Sequence, residues 1–212
     1  MQRGGITPLY LAPKPAHESA MPHELLAPLI LFCTATLFTP GPNNLMLMAS
    51  GANFGLVRTL PHLAGVALGF PGMVVVVGLG ASQVFARWPA THWVMSIASG
   101  LFMLWLAWKI ATAGTAPEAG RPGARPLLLW QAAAFQWVNP KAWSMALSAI
   151  TLYAPGRDLG AVLWVAGTFA ALGLCSSLSW ASLGLGIRRF LANPVRLRWF
   201  NRTMAALLLA AM

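Results

Sequence analysis

The sequence predicts an all-α polytopic membrane protein of about six transmembrane helices, built as two inverted three-helix repeats whose first and fourth helices are broken at the midplane. Three observations point there. Of 212 residues, 58% are hydrophobic and 8% charged, with a mean hydropathy of +0.65, too little polar side chain to cover a soluble globule. Apolar runs close to or above the roughly 20 residues needed to cross a hydrocarbon core of about 30 Å recur along the chain. Prolines with neighbouring glycine and asparagine interrupt the first and fourth of these runs near their centres.

Residues 1–24 carry four prolines and lack the apolar core of a signal peptide, so they are read as a disordered extension, with Met21 a candidate start. Residues 25–212 form a single transporter-sized transmembrane domain. Segment one, 25–53, reads "LLAPLILFCTATLFTPGPNNLMLMASGAN", with its midpoint near Pro40 and with Pro42 suited to open a half-helix "PNNLMLMAS". A loop "FGLVRTLPH" leads to segment two, 63–86, where Gly65 and Gly69 have helix-packing spacing and Pro71 is read as a structural kink. Segment three, 93–111, follows "RWPATH" and carries Ser96 and Gly100 at the same spacing. Segment four, 127–152, follows "TAGTAPEAGRPGAR"; its centre is Asn139 and Pro140, with Pro140 opening "PKAWSMALSAI" and Asn139 as its cap. Segment five, 159–187, follows "APGRD" and has two further small-residue pairs, Ala166 with Ala170 and Ser182 with Gly186. Its Ser176, Ser177 and Ser179 are read as packing residues, with a polar path as the alternative. After "RRFLANPVRLRWFNR", segment six, 198–212, offers only about ten apolar residues beyond Arg202, roughly 15 Å of helix and short of a crossing.

The formal charge is +10, but the basic residues sit in short connections instead of one stripe with aromatics, which argues against nucleic acid. Topology explains them better. The first, third and fifth loops, with their flanks, hold nine Lys and Arg against four on the other side, which puts loop 113–126 in the cytoplasm and the N-terminus outside. Cys33 and Cys175 lie in apolar segments without metal-site spacing and are read as small packing residues.

Two three-helix halves have an odd number of crossings each, so they enter the membrane from opposite sides, and transporters bind substrate at such paired discontinuities. Irregular backbone at that depth must be buried in protein or line a wet cavity. Both half-helix N-termini would then point positive dipole ends at one place, favouring an anion, with Lys141 adding a full charge. The alternative for Lys141 is snorkelling to an interface. Asn43 and Asn44 either bond substrate or satisfy the carbonyls that the prolines free. The four acids, Glu18, Glu24, Glu118 and Asp158, lie in tails, loops or at a segment edge, so a carboxylate relay at membrane depth is not expected. His62 is read as an interfacial residue, with a proton relay as its alternative. No nucleophile, metal set or acid–base pair sits at a depth that suggests an enzyme, and no cofactor is called for.

"TPGPNNLMLMASGANFGLVRTLPHLAGVALGF", "LWLAWKIA" and "FQWVNPKAW" together resemble the lysine-exporter family of bacterial amino-acid efflux proteins, over nearly all of residues 21–212. The resemblance implies a six-helix protein of the bacterial inner membrane that exports amino acids or their derivatives, driven by protons. Its motifs place the candidate substrate site on Thr39, Pro40, Gly41, Pro42, Asn43 and Asn44 in the first helix and on Asn139, Pro140 and Lys141 in the fourth. Without a membrane carboxylate to hold a second positive charge, neutral or small polar amino acids are favoured, and the "LAWKIAT" wording is similar to the cysteine and O-acetylserine exporters. The expected partners are the amino acid, protons, the lipid bilayer and a second copy of the chain in a homo-oligomer. A non-transporting membrane scaffold or assembly protein is the competing reading.

Overall fold

A computed structural model describes residues 23–81, 90–112 and 125–210. These residues are helical almost throughout. Helix α1 runs His23–Phe38, α2 Pro42–Phe54, α3 Leu56–Val76, α4 Ala90–Ala111, α5 Leu129–Phe135, α6 Pro140–Tyr153, α7 Leu159–Ile187 and α8 Pro194–Ala210. A π-helical turn, Val77–Ala81, extends α3, and short 3-10 turns at Gln136–Val138 and Phe190–Ala192 precede α6 and α8.

Both expected breaks are present. Pro42 and Pro140 each stand at the start of a helix, where a missing N–H costs nothing. Asn139 caps α6, its side chain accepting from the Lys141 N–H at 3.1 Å. Among the described residues, α3 with its extension (Leu56–Gly80) and α7 are long and apolar enough to cross a membrane. The α1–α2 pair, bent by 55°, makes a third span if taken as one. Large apolar side chains that face outward, among them Leu31, Leu68, Trp93, Leu101 and Trp164, fit a lipid-facing surface.

Several boundaries differ from the sequence reading. Residues 56–62 of the expected loop "FGLVRTLPH" are helix, because the turn between α2 and α3 needs one residue. Gly55 takes it at φ 79°, a left-handed conformation open to glycine, and its N–H closes α2 on the Gly51 carbonyl at 3.0 Å. The Thr59 hydroxyl then donates to the Gly55 carbonyl at 2.8 Å as α3 begins. Pro71 is accommodated inside α3. Helix α1 starts at His23 with Glu24 in its first turn, where a negative charge favours the helix dipole. Asp158 caps α7, accepting from the Ala161 N–H at 2.9 Å. The last helix begins at Pro194, earlier than the expected 198, and packs along α4. Residues 1–22 of the N-terminal extension and 113–124 of the basic loop lie outside the described residues.

Helix α7 is the central post, with α1, α2 and α3 against it. Small residues allow these approaches. A methyl at Gly51 would lie 2.0 Å from the Ala181 carbonyl oxygen, and one at Gly184 2.0 Å from that of Met48, so α2 and α7 touch backbone to backbone. Gly65 and Gly69 do the same for α3 against α5, as their spacing suggests. The Ser182–Gly186 pair does not serve this purpose: Gly186 meets nothing within 4 Å, and Gly184 is the glycine that faces α2. Cys33 packs in the main core, whereas Cys175 is exposed and so does not have the packing role expected of it.

Candidate functional site

The last carbonyls of a helix have no partner within it. At the end of α1 they are collected by side chains from three other stretches. Asn44 Nδ2 donates to the Leu37 carbonyl at 2.7 Å and to that of Thr39 at 2.9 Å, and Ser176 Oγ of α7 donates to Leu37 at 2.8 Å. Lys141 Nζ, a hundred residues away in sequence, donates to the Thr39 carbonyl at 3.0 Å and approaches that of Pro40 at 3.5 Å. Thr39 turns its own hydroxyl back to the Ala35 carbonyl. A cation beside a helix C-terminus is electrostatically favoured, so the ammonium stabilises the break as it spans it.

The second break is closed differently. The 3-10 turn Gln136–Val138 tightens the chain before Asn139, and the Trp143 indole N–H donates to the Trp137 carbonyl at 2.8 Å. The two indoles meet edge to face, 5.9 Å between centroids.

The two breaks are also tied to each other by a pair of amides. Asn43 Nδ2 donates to Gln136 Oε1 at 2.8 Å, and Gln136 Nε2 donates back to Asn43 Oδ1 at 3.1 Å. Gln136, fully buried, also donates to the Ala132 carbonyl of its own helix at 2.9 Å. Gly41 leaves room for the lysine stem: a Cβ there would lie 2.9 Å from both Cδ and Nζ of Lys141.

These residues line a half-open cavity of about 40 Å³. Gly41, Pro42, Asn43 and Asn44 line it from the first break and Asn139 and Lys141 from the second. Thr39, Pro40 and Pro140 adjoin it without being part of the wall. Phe70 and Pro71 of α3 and Phe169, Ser176 and Ser177 of α7 complete the wall. Lys141 is its one ionisable side chain among the described residues. A cation, three amide side chains and a helix N-terminus on a largely apolar wall suit a small molecule that carries a carboxylate.

Asn44 mends the broken backbone, one of the two roles open to it, and Asn43 joins the breaks. Gln136 and Ser176 escape a reading by motif, since their cross-helix partners follow from packing. Within the serine group, Ser179 bonds back to its own helix at Cys175, while Ser176 bonds across to α1, which corrects its packing assignment. His62 is fully buried in the protein, and its Nδ1 lies 2.9 Å from Ser50 Oγ.

The family model described as LysE type translocator matches residues 34–211. The cysteine/O-acetylserine efflux protein of Escherichia coli (strain K12) is 31% identical over 168 residues, 77% of this chain and 84% of that protein. The protein of the same name from Salmonella typhimurium is 30% identical over 163 residues, 76% of this chain and 82% of its own length. The one from Shigella flexneri is 31% identical over 164 residues, with 76% and 82% covered. No solved structure matches the chain.

Proposed function

Because the chain belongs to the LysE type translocator family, we propose that it exports small neutral or polar amino acids, cysteine and O-acetylserine first among them, across the bacterial inner membrane. The observation that carries this is the single cavity lined by both breaks, with Lys141 Nζ bridging from one to the carbonyls of the other. A scaffold needs no such paired interruption.

A zwitterion is complementary to what it would displace. Its carboxylate takes the Lys141 ammonium and the N-terminus of α2; its own ammonium takes the carbonyls of Thr39 and Pro40 that the lysine releases. Charge at the site is conserved by this exchange, which limits the electrostatic cost of loading a charged group within the membrane. No Asp or Glu is found among the described lining residues, which disfavours a second positive charge on the cargo and with it lysine or arginine.

The remaining parts of the reading follow from sequence logic. Six crossings in two inverted halves put the paired breaks at one depth. The excess of Lys and Arg in the odd loops orients the chain with its N-terminus outside. Export then runs against a gradient and takes its energy from protons. The test is to overproduce the protein in cells loaded with dipeptides and to challenge them with a panel of amino acids and toxic analogues. Raised extracellular cysteine or O-acetylserine with matching resistance supports export; unchanged amino-acid levels inside and outside the cells would refute it.

A further inference from the structure

Four buried side-chain polar atoms have no hydrogen-bond partner among the described residues: Asn53 Oδ1, His62 Nε2, and both Nδ2 and Oδ1 of Asn201. All three residues line one cavity of about 80 Å³, twice the volume of the central one. Ser50 and Arg125 line it as well, and Leu106 and Ile110 of α4 form part of its apolar wall. Packing faults scattered at random would not bring every orphaned atom to the same cavity. Buried polar groups are almost always paired, so a set left open together marks a place where something else supplies the partners.

We propose that this cavity is a second binding site, which loads a small amino-acid zwitterion on the cytoplasmic side of the central cavity. The identity of the ligand rests on the export reading above. The donor and acceptor inventory selects it. A carboxylate alone would satisfy Arg125 and Asn201 Nδ2 but leave the oxygens of Asn53 and Asn201 open. An amine alone would satisfy those oxygens and leave the Asn201 N–H groups unmet. A molecule with both groups satisfies the set, and His62 Nε2 donates or accepts according to its tautomer. Asn53 is polarised for the acceptor role, because its Nδ2 is already committed to the Ala49 carbonyl at 2.9 Å.

Placement supports loading. Helix α2 carries Asn43 at the central cavity and Asn53 at this one. Ten residues of helix separate them by about 15 Å, half of a hydrocarbon core of about 30 Å. Arg125 stands at the border of the basic loop that the charge distribution puts in the cytoplasm. The substrate would then pass along α2 from one end to the other.

Water is the competing occupant, and equilibrium binding of O-acetyl-L-serine to the purified full chain in lipid nanodiscs separates the two. The expected result is two molecules bound per chain, falling to one in Asn201→Leu and to a different one in Lys141→Ala. Asn201→Leu removes both open amide atoms while keeping the branch and the number of side-chain heavy atoms, so a water-filled or structural cavity predicts unchanged binding and an equal or higher melting temperature. One site per chain that is lost in Lys141→Ala and untouched by Asn201→Leu would overturn the loading site and leave the export reading standing. Two sites without transport by the wild type would do the reverse, and no binding would sink both. Should Asn201→Leu not fold, the ¹⁵N-histidine resonances of the unmodified sequence, with His62 assigned through His62→Gln, give the same answer. A His62 Nε2 resonance that moves on adding the probe supports the site, and one that does not move overturns it.

Discussion

Lys141 holds its ammonium 3.0 Å from the Thr39 carbonyl, at the end of α1, and in the proposed exchange it turns to the substrate carboxylate. Lys141→Ala should therefore abolish export while the protein still inserts, which efflux assays paired with membrane abundance will show. Gly41→Ala should act through the same group, because the new Cβ takes the space 2.9 Å from Lys141 Cδ and Nζ. A flexible stem can yield without unfolding anything, so the expected effect is a loss of export of about tenfold, on the order of 1.4 kcal/mol, at unchanged abundance. The Asn43–Gln136 pair makes a different prediction. Asn43→Leu leaves a buried Gln136 oxygen without a partner and should cost about 1–3 kcal/mol of stability, whereas adding Gln136→Leu should cost less than the sum of the single changes. Thermal melts in detergent of the four proteins measure that coupling. The prolines of both breaks and the Asn139 cap were legible in sequence because they act on their own backbone. Gln136 was not, because its partner stands on another helix and nothing local marks it, and Ser176 stood out only as one of three serines until its bond to α1 was seen.

At the scale of elements, the central contact is α2 against α7, and it depends on two glycines whose added methyls would lie 2.0 Å from facing carbonyl oxygens. Gly184→Val should push the helices apart and cost roughly 1–3 kcal/mol or more, seen as a lowered melting temperature. Gly186→Ala, two residues on and facing open space, should leave it within error or slightly raise it. Small-residue spacing marked Gly65 and Gly69 as packing positions, and their partner is α5, but it chose the wrong glycine on α7. Helix periodicity says which residues share a face, and only the neighbour decides which face is used. The turn at Gly55 was hidden for a related reason. Polar and breaking residues in "FGLVRTLPH" look like a loop, yet one glycine at positive φ makes the turn and the helix resumes at Leu56.

For the whole molecule, hydropathy patterning pointed to the all-helical, apolar chain that the structure shows, while the midplane depth proposed for each break rests on counting residues along an apolar run. Orientation is carried by charge alone. Cysteines introduced at 113–126 should be unreachable by an impermeant label from outside the cell, and labelling there would invert the topology. The central claim is that a zwitterion binds between the two breaks by exchanging with Lys141. Its most direct test is uptake of O-acetyl-L-serine into inside-out vesicles carrying equal amounts of wild type or Lys141→Ala. Accumulation by the wild type with none above background for Lys141→Ala is the predicted result; equal accumulation by both would contradict it.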